Sequence, residues 1–250
     1  MIVHGGWGGG WEWTEVARSL RERGHDVFTP TLTGMGERAH LGHPQVGLST
    51  HVDDVVGVLE LEDLHEVVLC GHSYGGMPVT GAADRVIDRI GLVIYIDALV
   101  PRHGQSAFDL LPGTTFRQLA QASANAHGDG WRVPIPAALL PPEGWITNEE
   151  RARYVARLRD QPLATFAEPL LLTGAIDSVG HAFVRCTGDD ELGHDLGGDP
   201  IAPAAARARR EGWLYRELAA PHDPQLTDPV GTATALHELT AAARIEPDRR

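Results

Sequence analysis

The run Glu66-Val67-Val68-Leu69-Cys70-Gly71-His72-Ser73-Tyr74-Gly75-Gly76-Met77 decides how the rest of the chain is read. Glu66 to Cys70 is a short, nearly continuous apolar stretch, as expected of a strand buried on both faces of a parallel sheet. Met77 to Ile87 is rich in small residues and reads as a helix. Between them Gly71-His72-Ser73-Tyr74-Gly75 fits G-x-S-x-G, the sharp strand-to-helix turn that lifts a serine hydroxyl above a sheet. Glycines flank the serine because side chains there would clash, and the following helix N-terminus favours developing negative charge. A glycine-rich turn could simply join strand to helix. The strand-turn-helix context makes Ser73 a candidate nucleophile instead.

Outward from this turn, apolar runs alternate with amphipathic ones, a pattern that predicts an α/β fold with a mostly parallel central sheet flanked by helices. Strands are expected at Met1–Val3, at "HDVFTPTL" from His25, at "GLVIYID" from Gly91, at "AFVRC" from Ala182 and at "LYREL" from Leu214. Helices are expected at Thr14–Arg23, after a Thr50 cap, at Ala202–Arg210 and at Val230–Ala243. The middle differs. Prolines cluster from Pro101 to about Gly180, Trp131 and Trp145 appear, and one helix, Glu149–Arg159, is legible. The expected organisation is a single domain over 1–250, with a core of 1–101 and 180–250 and a cap insertion at about 102–179.

Three further signals carry chemistry. His4-Gly5-Gly6 ends the first strand. Acyl transfer needs two backbone N–H donors aimed at an oxyanion, and Gly6 together with Tyr74, the residue after the candidate nucleophile, can supply them. His222, in "LAAPHDPQL" after the last strand, sits where the chain order nucleophile, acid, histidine puts the base. The acid has two candidates. Asp97 ends the apolar strand "GLVIYID", 24 residues after Ser73, where a charge needs a partner. Asp189 lies in the acidic, glycine-rich loop "GDDELGHDLGGD". Burial favours Asp97, with Asp189 the alternative. Trp7, Trp131 and Trp145 are candidate pocket walls, or else packing residues.

Composition excludes several classes. Of 250 residues, 42% are hydrophobic and 22% charged, an ordinary globular balance. The 21 basic residues are all arginine against 34 acidic ones, a net charge of -13, which argues against nucleic-acid and membrane partners. Without lysine there is no Schiff base and no lysine-dependent phosphate loop. Cys70 and Cys186 show no metal-binding spacing, so no metal and no cofactor is expected. No apolar run reaches the ~20 residues a membrane helix needs, and "MIVHGG" reads as a strand entering a turn, not as a leader. The expectation is a cytoplasmic protein acting on a small-molecule ester, and one that could form a homodimer.

"VHGGWGGGWEW", "GHSYGGM", "YIDALVP" and "LAAPHDPQL" together resemble the methylesterase and hydroxynitrile lyase branch of the α/β-hydrolase superfamily, its bacterial esterases most of all. The resemblance covers nearly the whole chain and is weakest in the cap. It implies a cofactor-free serine hydrolase with a helical cap over a mostly apolar pocket, inserted between the sixth and seventh strands. It further implies Ser73 as nucleophile, His222 as base, and Gly6 and Tyr74 as oxyanion donors. Asp189 holds the family's usual acid position; haloalkane dehalogenases and zearalenone lactonases place theirs after the earlier strand, as Asp97 would be. Lyase members carry a threonine where Gly5 stands and a lysine near the catalytic histidine, so lyase chemistry is disfavoured. Cleavage of a carboxylic ester, such as a methyl ester with an apolar or aromatic acyl part, is the expected activity. A hydroxynitrile lyase-like reaction, lactone cleavage and a non-catalytic small-molecule receptor on the same scaffold are the alternatives.

Overall fold

The computed structural model describes residues 1–111, 115–141, 144–188 and 198–245. Its strands in chain order are β1 (Ile2–Val3), β2 (Val67–His72), β3 (Ile90–Ile96), β4 (Arg132–Val133), β5 (Gln161–Pro162), β6 (Gly180–Cys186) and β7 (Leu214–Leu218). The main sheet runs β1-β2-β3-β6-β7 with every pairing parallel, and β4 pairs with β5 in a separate antiparallel ribbon.

Both faces of the sheet are covered, and for that reason its central strands read as unbroken apolar runs. Along β3, Leu92, Ile94 and Ile96 enter one core with Val16, Leu20, Leu236 and Leu239, from the helices Thr14–Glu22 and Pro229–Ile245. Val93 and Tyr95 enter the other, with Val52, Val55 and Leu59 of helix Leu48–Leu61 and Met77 and Val79 of helix Gly76–Arg85. Each such buried side chain contributes about 1.5–3 kcal/mol.

Three expectations change. His25–Leu32 is not a strand: it contributes one bond to the sheet edge, Ile2 N–H to the Phe28 carbonyl at 2.8 Å, and Pro30 has no N–H to extend a ladder. Thr50 does not cap its helix, which starts at Leu48 after Gly47. A free first-turn donor, Ser49 N–H, is met instead by the Glu168 carboxylate at 3.1 Å, from a residue far away in sequence. The expected Glu149–Arg159 helix spans Asn148–Val155, opened by a reciprocal Thr147–Glu150 capping box.

The 101–179 segment leaves the main sheet after β3 and returns at β6, the third and fourth of the five strands described rather than the sixth and seventh. Its return is pinned by Asp84, whose carboxylate accepts from the amides of Thr173, Gly174 and Ile176 at 2.6–3.0 Å and from the Thr173 hydroxyl at 2.9 Å. Among the described residues no helix is long and apolar enough to cross a membrane, and no group of His, Cys, Asp or Glu could hold a metal ion.

Candidate active site

β2 and β3 are in register at His72 and Ile96, so the chain leaves both strands at one level of the sheet. The next residues are Ser73 and Asp97. Both take the left-handed conformation, with φ of 52° and 42°, as does Trp7 at 59° beyond β1. L-residues adopt this region only at a cost of order 1–3 kcal/mol each, and the surroundings impose it here. A Cβ at Gly71 would lie 2.6 Å from the Gly75 carbonyl oxygen, and one at Gly75 2.6 Å from that of His4. At Gly76 it would meet the Leu99 oxygen at 2.0 Å. The glycines let three backbone segments touch. Leu99 N–H then donates to the Ser73 carbonyl at 3.0 Å, clamping the turn to the chain beyond β3.

The structure brings Ser73, His222 and Asp97 together. His222 Nε2 lies 2.9 Å from Ser73 Oγ, and Nδ1 lies 2.7 Å from Asp97 Oδ2. A carboxylate only accepts, so the proton sits on Nδ1, and Nε2 is left to receive one from the serine. Asp97 is 1% exposed. Burial by itself would raise its pKa, but the His222 hydrogen bond and charge, the Arg185 guanidinium and the Cys186 amide outweigh that and hold it below the ordinary value. Arg185 Nη1 donates to Asp97 Oδ1 at 2.8 Å and Cys186 N–H at 3.1 Å, while the other arm of Arg185 pairs with Asp199. His72 Nε2 donates to the His222 carbonyl at 2.7 Å. Burial, then the neighbouring His222, pushes the His72 pKa down to about 3, so it stays neutral and fixes the loop that carries His222.

Gly6 and Tyr74 border the same cavity. The turn bearing Gly6 is fixed from above and below. Trp7 N–H donates to the fully buried Gln161 Oε1 at 2.9 Å, and the Trp7 indole donates to the Val133 carbonyl at 2.8 Å. Below, His4 Nδ1 donates to the Gly5 carbonyl and its Nε2 accepts from Leu32 N–H at 3.1 Å. Burial lowers the His4 pKa to about 4, so it too is a neutral strut. The Tyr74 ring is tied to His51, whose Nδ1 is 2.9 Å from its hydroxyl. Two amides held this firmly are suited to stabilise an oxyanion, because no reorganisation is needed when charge develops.

The cavity above Ser73 has a volume of about 70 Å³ and is walled by Trp7, Leu99, Phe116, Ile135, Phe166 and Ile201, among others. Trp7 is therefore a wall residue. Trp131 and Trp145 are not among the lining residues. Trp131 packs by Gly42 with Arg132 over its ring, and Trp145 is 40% exposed. Their prominence in a proline-rich stretch without periodicity gave no orientation. Asp189 lies outside the described residues. Sequence reasoning missed Arg185, His72, Gln161 and Glu12. His72 and Glu12 stand inside quoted motifs, yet their partners are distant in sequence. Arg185 had a signal: a basic residue near the end of an otherwise apolar strand, beside the strand ending in Asp97.

The model of the alpha/beta hydrolase family matches residues 1–235. A carbendazim-hydrolyzing esterase from Nocardioides sp. (strain SG-4G) is 42% identical over 186 residues, covering 72% of this chain and 75% of that protein. Methylesterase 10 of Arabidopsis thaliana is 32% identical over 78% of this chain and 76% of its own length. Among solved structures, an extracellular alpha/beta-hydrolase from a Paenibacillus species, described as sharing structural and functional homology with tobacco salicylic acid binding protein 2, superposes with a TM-score of 0.80. It is 23% identical and covers 97% of both chains.

Proposed function

The chain belongs to the alpha/beta hydrolase family, and from that premise we propose that it hydrolyses carboxylic esters of small molecules through an acyl-enzyme on Ser73. The observation that carries this reading is the unbroken chain of contacts from Ser73 Oγ through the His222 ring to Asp97. Esterase and methylesterase relatives support it.

In this mechanism Ser73 Oγ attacks the ester carbonyl carbon as His222 Nε2 takes its proton. The carbonyl oxygen becomes an oxyanion held by the Gly6 and Tyr74 amides. Asp97 keeps the ring oriented and stabilises the imidazolium. Collapse of the intermediate breaks the carbon–alkoxide bond, and His222 returns its proton to the leaving alcohol. Water, deprotonated by His222, then attacks the acyl-enzyme, and the carboxylic acid leaves as Ser73 is reprotonated. The 102–179 segment acts as a cap, because it supplies Phe116, Ile135 and Phe166 to the cavity wall. Its apolar lining favours methyl or similar esters with an apolar or aromatic acyl part.

A serine-directed fluorophosphonate tests the reading. It should label the protein once, at Ser73, and Ser73→Ala should abolish both the label and turnover across a panel of methyl, aryl and lactone esters. Labelling elsewhere, or a panel without turnover, would leave a non-catalytic receptor on the same scaffold.

A further inference from the structure

Glu12 is a half-buried acid of the cavity that this mechanism does not use. It stands in "GGGWEW", on the turn beyond Gly8, and its carboxyl lines the same cavity as Ser73. Gly8 makes room for it: a Cβ there would lie 2.2 Å from Glu12 Oε1 and 2.3 Å from Oε2. The Tyr154 hydroxyl donates to Oε1 at 2.7 Å, and the Gly9 amide is a second donor. Arg157 stacks 3.8 Å from the Trp11 ring centroid, near enough for its charge to act on Glu12.

Most of the remaining wall is apolar, and several of its other polar groups are already engaged, although His72 Nδ1 has no hydrogen-bond partner among the described residues. His72 Nε2 is bonded to His222, and Tyr154 donates to Glu12 itself. Asp223, directly after the base, also borders the cavity and adds negative charge beside Glu12. Burial, ahead of the Tyr154 and Gly9 hydrogen bonds and the Asp223 and Arg157 charges, raises the Glu12 pKa to about 8. A pKa raised in this direction favours the protonated acid toward neutral pH, a group able to donate one hydrogen bond and accept others. Nothing in the ester chemistry requires such a group. A polar group of this kind in an apolar pocket fixes ligand orientation and supplies specificity.

We propose that Glu12 is the specificity-determining residue of this pocket, pairing with an amide-like edge on the substrate, an N–H donor beside an acceptor atom. The preferred esters then carry such an edge in addition to the scissile group. Hydrocarbon esters of the same shape leave the acid facing carbon. A site built to hydrogen-bond a substrate N–H rejects an analogue without it far more strongly than a purely apolar pocket rejects a change of one methylene. This rests on the ester-hydrolase reading above.

The test is a pair of isosteric methyl esters, N-benzoylglycine methyl ester with its amide N–H and methyl 3-benzoylpropionate with CH2 in that place. The wild-type kcat/KM ratio should favour the amide by tenfold or more. Glu12→Gln, which keeps a donor and an acceptor, should hold the ratio within about threefold of wild type. Glu12→Leu and Glu12→Met should each bring it close to one, and a ratio cancels any general loss of activity. A wild-type ratio near one overturns the proposal without any variant, as does an unchanged ratio in either apolar variant. Methyl ketone analogues of both compounds, titrated by calorimetry, read the same preference without turnover. Equal binding refutes the role of Glu12; selective binding with no hydrolysis and no Ser73 labelling refutes the hydrolase reading alone.

Discussion

Replacing Asp97 by Asn removes one oxygen and one charge, and the surroundings dictate how the new amide must point. Arg185 Nη1 and the Cys186 amide are both donors to Oδ1, at 2.8 and 3.1 Å, so the carbonyl oxygen stays with them. The NH2 group then faces His222 Nδ1, which must accept instead of donate. The imidazole proton moves to Nε2 and is presented to Ser73 Oγ, so the ring cannot take the serine proton. Loss of the working tautomer lowers kcat by roughly 10³–10⁴, equivalent to about 4–5.5 kcal/mol of transition-state stabilisation. Because the two donors keep their acceptor, the fold should survive with about 1–3 kcal/mol less stability. That deficit has a pH signature. The Asp97 pKa is depressed from 3.8, so its carboxylate stabilises the fold above that value and the contribution is lost as pH falls through the lower native one. The variant and wild type should therefore differ at pH 7 and converge in acid. Steady-state turnover of a p-nitrophenyl ester, a circular-dichroism melt at each pH and fluorophosphonate labelling are the measurements. A kcat within tenfold of wild type, in a folded variant, refutes the assignment. Asp189→Asn is the companion and should change kcat less than twofold; a large loss there would move the acid to the family's usual place.

Ser73→Ala should remove essentially all ester turnover, and adding His222→Ala should cost little more, since residues sharing one proton transfer are not additive; independent, multiplying losses would contradict this. Gly76→Ala puts a methyl 2.0 Å from the Leu99 carbonyl oxygen, so a melting curve should show destabilisation of roughly 2 kcal/mol or more. An unchanged melt would mean that the turn yields more easily than described. Glu12→Gln should stabilise the protein at neutral pH. The native acid keeps its proton to about pH 8 whereas the unfolded one ionises near 4.5, so wild-type stability falls across that window, with a ceiling of about 5 kcal/mol at one unit per ~1.36 kcal/mol. Denaturant midpoints at pH 5 and pH 8 check it, and a difference between variant and wild type that does not grow with pH would be the contrary result.

Much of this site was legible because its carriers are local. The Ser73 turn is written in glycines whose spacing is steric, and Asp97 stood out as a charge closing an apolar strand. The position of His222 followed from chain order. What stayed hidden depends on contacts between distant residues. Gln161 holds Trp7 across 154 positions, and Glu168 meets the helix end near Ser49 across 119. Such pairs leave no periodicity in a single sequence. The 102–179 segment failed for a related reason: its tryptophans lie outside regular elements, so hydrophobicity alone could not say that Phe166 faces the cavity and Trp145 faces water. The lost strand at His25–Leu32 shows the reverse error, a β-like composition overruled by Pro30.

The level pairing of His72 with Ile96 makes the reaction a gauge of how the sheet has assembled. A slip of β3 against β2 by one residue would carry Asp97 about 3.3 Å along the strand and turn its side chain to the opposite face. No side-chain motion of His222 could recover a carboxylate lost that way. Molecules misaligned by a single step would keep their secondary structure and much of their compactness, yet be silent. During refolding, regained turnover should therefore trail the recovery of far-ultraviolet ellipticity and count only correctly aligned molecules.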